Sequence, residues 1–300
     1  MAISPCNIKV NEQGRELLEH GTALLPAACY HDDLSVAEVP WHWHEEFEAV
    51  LVSEGTALMT AGEERYIVSA GGGLFVNGNV LHAAWQQGAA ACRFHSIVFH
   101  PRLVGGSAES VFWQKYLQPL LSDASFGGMV LAPNVSWQGQ ALDAIEQAWQ
   151  GCRAEAPGYE FVMRDALSRL VFLAGSHRAP APQPVPQKVL RDAERIKRML
   201  QYIQAHYAEA LTVTDIARAA AISTSECLRC FRATLGCSPM QYLRQYRVQA
   251  AAGLLLETEA AIAEIGALCG FEEMSYFAKT FRQLRGCTPT AYRRRGRSAE

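Results

Sequence analysis

No long, unbroken apolar run occurs in this sequence, because charged residues interrupt every such stretch after a few positions. A membrane-spanning helix, which needs about 20 apolar residues, is therefore not expected. The start, MAISPCNIKVNEQG, lacks a basic segment followed by an apolar core, so no secretory signal is expected and the chain reads as soluble and cytoplasmic. A disulfide framework is also missing. The nine cysteines are odd in number and irregularly spaced, which fits free thiols in a reducing compartment. One CxxC pair, Cys227 and Cys230, has no second pair at ligand spacing, so an i, i+3 pair on the buried stripe of a helix is favoured over half a zinc site.

What is present is a chain of 300 residues, 49% hydrophobic, long enough for two domains with separate cores. The net charge of −3 conceals a split. Residues 1–187 hold 10 Lys and Arg against 19 Asp and Glu, a balance of −9, whereas residues 188–300 hold 17 against 11, a balance of +6. A basic final third points to a polyanionic partner.

From about Val36 to Phe99, short alternating segments separated by turn residues (FEAVLVSEG, TALMTAGEERYIV, GGGLFVNGN, CRFHSIVF) predict an antiparallel sandwich or barrel. From Ser107 to about Gly175 the spacing becomes helical, most clearly in YEFVMRDALSRLVFLAG, where Met163, Leu167, Leu170, Val171 and Ala174 share one face. The segment HRAPAPQPVPQ follows, with prolines at 180, 182, 184 and 186. Alternate prolines favour extended polyproline conformation, so 177–187 reads as a spacer. The predicted organisation is a β domain over 1–106, a helical segment over 107–176, the spacer, and an all-α domain over 188–296.

That last domain contains a repeat. FRATLGCSPMQYLR (231–244) and FRQLRGCTPTAYRR (281–294) match at an offset of 50 in Phe, Arg, Gly, Cys, Pro, Tyr and Arg, which indicates two copies of one unit. In the first copy Thr212 is placed as an N-cap, Ser223 with Glu226 as a capping box for the next helix, Gly236 as the residue just past its end, and Ser238-Pro239 as the start of a third. Each copy thus reads as helix, tight turn, helix. Cys227, Cys230, Phe231 and Leu235 are expected inward, with Thr224, Ser225, Leu228, Arg229 and Arg232 outward. In the second copy Phe277, Thr280, Phe281 and Leu284 are expected inward, and Ser275, Tyr276, Lys279 and Arg282 outward. An outward stripe of cations and small polar groups on the second helix suits the DNA major groove.

These residues, above all AIAEIGALCGFEEMSYFAKTFRQLRGCTPTAYRR, resemble the AraC-type family of bacterial transcription regulators over residues 190–295. The resemblance implies two helix-turn-helix units joined by a long helix, with recognition helices entering successive major grooves of double-stranded DNA. It marks Ser225, Leu228 and Arg229, and Ser275, Tyr276 and Lys279, as base-reading positions, with Arg232 and Arg282 beside them. Two residues depart from the family pattern: Leu228 stands where a polar side chain is usual, and Gly266 where alanine is usual.

In the N-terminal part, WHWHEEFEAV (41–50) places His42, His44 and Glu48 at one parity, which on an extended strand points them into the barrel. With His82 they could bind a divalent metal, Fe(II), Mn, Ni or Zn. The spacing H-x-H-x3-E-x6-G looks like the first cupin motif. The second cupin motif is met in part: Gly71 and His82 fit, Asn77, Asn79 and Gln86 do not, and Asn79 is expected to take the left-handed conformation that glycine would supply. Three readings stay open for the four residues. They line a metal-free effector pocket, which is favoured in this fusion to an AraC-type DNA-binding half; or they hold a metal in a sensor; or they serve a metal-dependent cupin enzyme with a DNA-binding tail. Trp41 and Trp43 are expected to pack outside the barrel. Trp85 reads as packing or as a pocket wall, and Arg65 and Arg93 as solvated or facing an anion. His95 and His100 are read as hydrogen-bonded structural residues.

The expected function is therefore that of a non-enzymatic, sequence-specific regulator. A small-molecule effector in the barrel changes DNA occupancy or contact with RNA polymerase, and the 107–175 helices carry homodimerisation through their apolar stripe.

Overall fold

The computed structural model describes residues 20–123, 125–178 and 187–297. The described chain divides into two compact units, one ending at Ala193 and the other beginning at Glu194. The prolines of the expected spacer lie outside the described residues.

Among the described residues the first unit has nine strands: β1 (Ala27–Asp33), β2 (Val39–His42), β3 (Phe47–Glu54), β4 (Thr56–Ala61), β5 (Glu64–Ser69), β6 (Gly73–Val76), β7 (His82–Gln86), β8 (Arg93–Phe99) and β9 (Gly128–Leu131). All pairings are antiparallel, in two sheets of order β1-β8-β3-β6-β9 and β2-β7-β4-β5. Between and after the strands come α1 (Arg102–Gly105), a π-helical turn (Trp113–Leu117), α2 (Gln118–Leu121), α3 (Ser136–Ala154) and α4 (Tyr159–His177).

The larger sheet is buried on both faces, so its central strands are almost continuously apolar rather than alternating. Val50, Val52, Leu74, Val76 and Phe94 face the smaller sheet. Phe47, Ala49, Phe75, Ile97 and Phe99 face a second core that contains Met163, Leu167, Leu170, Val171 and Ala174 of α4 together with Ala141, Ile145 and Ala148 of α3. This corrects the sequence reading twice. The apolar stripe of α4 docks on the chain's own α3 and sheet, so it is not available to a second copy. The 107–175 segment is also not wholly helical, because β9 lies within it and pairs with β6.

The second unit comprises most of α5 (Gln187–His206), then α6 (Val213–Ala219), α7 (Thr224–Thr234), α8 (Pro239–Glu257), α9 (Ile262–Leu268), α10 (Met274–Arg285) and α11 (Pro289–Arg297). The pairs α6–α7 and α9–α10 are the two helix-turn-helix copies, and α8 is the long helix between them. Val248, Ala251, Ala252 and Leu255 of α8 share a core with Ile265, Cys269, Phe271, Phe277 and Phe281 of the second copy. Near the first copy, Gln204 donates from Nε2 to the buried Tyr242 hydroxyl at 2.8 Å, and Phe231 packs against that tyrosine ring.

The expected caps form at Thr212, Ser223, Ser238 and Thr288. Two local expectations need correction. Ser223 accepts from the Glu226 N–H, but the Glu226 carboxylate turns to Arg229 and Arg195 instead of closing a capping box. Leu284, expected inward, is exposed and lies in the last turn of α10.

Candidate functional site

His42, His44, Glu48 and His82 meet inside the first unit. All four are buried, and one ligand-type atom from each lies within 4.8 Å of the others. Their convergence does not come from a shared strand. His42 ends β2, His44 lies just before the bend that follows it, Glu48 is on β3 in the other sheet, and His82 opens β7, directly opposite His42 in register. The two sheets face one another, and the chain crosses from one to the other at Glu45–Glu46, so residues of equal parity on successive strands still point into one interior.

The three histidines are held alike. Nδ1 of His42 lies 2.9 Å from the Pro40 carbonyl, that of His44 3.1 Å from the Glu46 carbonyl, and that of His82 2.7 Å from the Val80 carbonyl. Across the cluster, His82 Nε2 is 2.9 Å from Glu48 Oε2, and His44 Nε2 is 3.8 Å from the same oxygen. Burial would raise the Glu48 carboxyl, but the hydrogen bonds and charges of His44 and His82 outweigh it and hold the group well below the usual carboxylate range. Burial lowers the His44 imidazole, although Glu48 opposes that shift.

Sequence spacing missed a neighbour of this cluster. His20 is buried, its ring stands edge-on to His44 with centroids 5.1 Å apart, and its Nδ1 is 2.9 Å from the Tyr30 hydroxyl. No period or motif links residue 20 to 44, and only the fold brings them together. Asn79 adopts the left-handed conformation expected of it (φ 62°), and its N–H donates to the His44 carbonyl at 2.8 Å. Asn77 is buried and donates from Nδ2 to the Leu120 and Phe126 carbonyls at 2.9 and 3.0 Å. Of the departures from the second cupin motif, Asn77 therefore ties the 77–79 turn through its side chain to α2 and the segment after it, whereas the Asn79 contact is a backbone one.

The other residues considered lie outside the cluster. Trp41 is buried edge-on against Trp85 at 5.5 Å. Arg93 is bound to Asp33 at 2.9 Å and Glu54 at 2.7 Å, which removes it as an anion ligand of the barrel. His95 stacks flat on Trp149 at 3.7 Å with Nδ1 3.3 Å from Glu146, and His100 accepts from the Arg102 N–H.

In the second unit, Cys227, Cys230 and Phe231 of α7 and Phe277, Thr280 and Phe281 of α10 are buried. Ser225, Leu228 and Arg232 of α7, and Ser275, Tyr276, Lys279 and Arg282 of α10, are exposed, while Arg229 is partly buried. Arg229 was expected to point freely outward. Instead its Nε and one terminal nitrogen bond Glu226 at 2.9 and 2.7 Å, and Glu226 also receives Arg195 at 3.2 Å. In the sequence Glu226 reads as a cap partner, and its i, i+3 spacing to Arg229 is the signal for this ion pair.

A double-sheet barrel enclosing a polar cluster, followed by a duplicated helix-turn-helix, defines a DNA-binding protein with a ligand-binding domain. Comparison with known proteins agrees. Residues 25–157 match the AraC-like ligand binding domain, and residues 216–295 match a helix-turn-helix domain. The chain is 31% identical over 292 residues to the uncharacterized HTH-type transcriptional regulator YdeC of Bacillus subtilis (strain 168), covering 96% of this chain and 98% of that protein. It is 26% identical over 254 residues to the HTH-type transcriptional activator RhaR of Yersinia pestis bv. Antiqua (strain Angola), covering 85% and 84%. A solved AraC-type regulator from Chromobacterium violaceum aligns at 29% identity over 34% of this chain and 92% of that one, with a TM-score of 0.34. The chain belongs to the AraC-type family of helix-turn-helix transcriptional regulators. Among the described residues no helix is long and apolar enough to cross a membrane.

Proposed function

We propose that this regulator reads DNA with Ser225, Leu228, Arg229 and Arg232 of α7 and Ser275, Tyr276, Lys279 and Arg282 of α10, under control of a small-molecule effector held beside His42, His44, Glu48 and His82. The observation that carries the reading is the pair of duplicated second helices, each burying its aromatic side and turning a stripe without acids to the surface. Glu226 holds the Arg229 guanidinium in one orientation, which lowers the entropy lost when it meets a base edge. Leu228 suits a thymine methyl group. The protein acts as a cytoplasmic regulator and not as an enzyme, changing DNA occupancy or polymerase contact when the effector binds.

The same reading includes a homodimer, through a different face from the one the sequence suggested. Phe112 and Tyr116, beside α4, and Phe161 and Phe172 on its outer side are exposed around a groove of about 440 Å³. An exposed aromatic group of this kind fits a protein partner. Sedimentation of the full chain at micromolar concentration should give a dimer that Phe161→Asp with Phe172→Asp converts to monomer. A monomeric wild type would refute this part.

DNA reading is tested by selecting bound fragments from random-sequence DNA and titrating them by fluorescence anisotropy at several salt concentrations. Arg232→Ala and Arg282→Ala should weaken binding across sequences and reduce the salt slope by about one each. Arg229→Ala should relax base preference at one position, with a loss of about 1–3 kcal/mol on the preferred site. Equal losses for all three variants on every sequence would show that the face is misassigned.

A further inference from the structure

We propose that Arg247 is a positioning residue that fixes the distance and phase between the two recognition helices, so that the protein selects DNA in which the two elements it reads stand at one spacing.

The long helix α8 has 19 residues and sets the separation of its ends at about 1.5 Å per residue. Rotation of the two copies about that rod is set by whatever else joins them. A second connection runs through α5. Along that helix Arg195 bonds Glu226 of α7 at 3.2 Å, and Gln204 bonds Tyr242 near the start of α8 at 2.8 Å, so α5 belongs with the first copy. The residues just past its end belong with the second. Tyr207 packs against the core that holds Phe271, Phe277 and Phe281. The turn at Gly270 lies so close to the Tyr207 and Ala208 carbonyls that a Cβ there would meet both oxygens at 2.8 Å.

Arg247 closes this junction. It projects from the middle of α8, and its Nε and one terminal nitrogen donate to the carbonyls of Tyr207 and Glu209, each at 2.7 Å. A planar guanidinium bonded to two carbonyls is held in one orientation, and a charged donor makes each bond about twice as strong as a neutral one. The same guanidinium stands 6.0 Å from the centre of the Phe271 ring, where a cation is attracted to the ring face. Phe271 in turn meets two neighbouring rings of α10. Phe277 is on the buried side, with ring centres 5.0 Å apart, and Tyr276 on the exposed side, at 6.1 Å. Arg247, Phe271 and Tyr276 also line one groove of about 250 Å³. One side chain therefore joins the end of α5, α8 and the second recognition helix, and it stops one ring short of the DNA-reading face. Its donors face backbone carbonyls and it is partly buried, so it acts through the protein and not as a phosphate contact.

One base pair is about 3.4 Å of axis and about 35° of twist. Two helices held rigidly about one turn apart lose one of their two contacts when a single base pair is inserted or removed. The inference rests on the DNA-reading role of α7 and α10 proposed above, and the test separates the two. The fragment that the full chain prefers in selection from random-sequence DNA is rebuilt with one or two base pairs inserted or deleted between its two elements. Each version is titrated by fluorescence anisotropy with wild type and with Arg247→Met, which keeps the apolar stem. Wild type should lose at least about tenfold in affinity for a single step from the optimum, and Arg247→Met less than about threefold. Base preference within each element and the salt slope should not change. A loss by one common factor on every fragment, the mark of a variant that is only less stable, overturns the proposal. So does a salt slope lower by about one, which identifies a phosphate contact. If Arg247→Met does not fold, Arg247→Lys, which keeps the charge but not the fork, should broaden the spacing preference, and a preference as sharp as that of wild type overturns the proposal. A wild type indifferent to spacing refutes the two-helix reading of DNA and the proposal with it. A wild type selective for spacing and a variant equally selective refute the proposal alone.

Discussion

In the first helix-turn-helix copy Thr212 and Asp215 form a complete capping box and Ser223 caps α7, whereas in the second copy Ala261 and Glu273 stand at the corresponding helix starts with no side-chain cap. The turns differ in the opposite sense. Ala221 is forced to φ 53° in the first, while Gly270 takes φ 77° in the second, beneath the carbonyls of Tyr207 and Ala208. The second copy compensates for its bare helix ends with aromatic packing. Phe271, Phe277 and Phe281 pack in series, tilted and then edge-on, and a Cβ on Gly266 would come within 3.0 Å of the Phe277 ring. The glycine that departs from the family pattern thus lets α9 approach α10, and its lower helix propensity is exchanged for contact. One fold is specified by local hydrogen bonds in one copy and by burial in the other.

This contrast can be broken from either side, with urea unfolding of the second unit as the measure. The largest effect is expected from Phe277→Ala, a fully buried ring, at about 3–5 kcal/mol. A loss below about 1 kcal/mol would show that packing does not carry the second copy. Gly270→Ala should follow, costing more than about 1 kcal/mol, because the new methyl meets two carbonyl oxygens at 2.8 Å in a left-handed backbone. Thr212→Ala should cost about 1 kcal/mol, and Ala261→Ser should return a gain of similar or smaller size by giving the second copy the cap it lacks.

The Thr212 hydroxyl, followed by its backbone N–H, holds the Asp215 carboxyl below the usual range. A depressed carboxyl stabilises the fold above its unfolded pKa and loses that contribution as pH falls through its folded value. The difference between wild type and Thr212→Ala should therefore shrink in acid, and a difference independent of pH would argue against the box. The smallest change is the reverse of the glycine test. Ala221→Gly relieves about 1–2 kcal/mol of left-handed strain and gives back about 0.5–1 kcal/mol in unfolded-chain entropy, for a net gain near 0.5 kcal/mol. Opposite signs at positions 221 and 270 are the signature of the comparison.

The same division runs through the rest of the molecule. The caps at Thr212, Ser223, Ser238 and Thr288, the left-handed Asn79 and the inward faces of α7 and, apart from Leu284, of α10 were legible in sequence because each rests on residues within about four positions of one another. The stripe of α4 was legible as a stripe, but what it covers was not. Amphipathicity says that a face must be buried and is silent about where, and here the larger sheet and α3 supply the answer. β9 was missed because GMVL is short, with a single fully buried residue, and pairs with a strand more than fifty positions earlier.

By itself, then, the sequence determined the duplicated helix-turn-helix, the basic face that belongs to it, and the parity of His42, His44 and Glu48, all of which follow from short-range periodicity and hydrogen bonding. Only the tertiary structure decided that those three meet His82 across two sheets with His20 beside them, that Glu226 holds Arg229, and that the α4 stripe is closed off inside its own unit. Each of these depends on contacts between residues far apart in the chain, where side-chain chemistry sets what is favourable and backbone topology alone sets what is within reach.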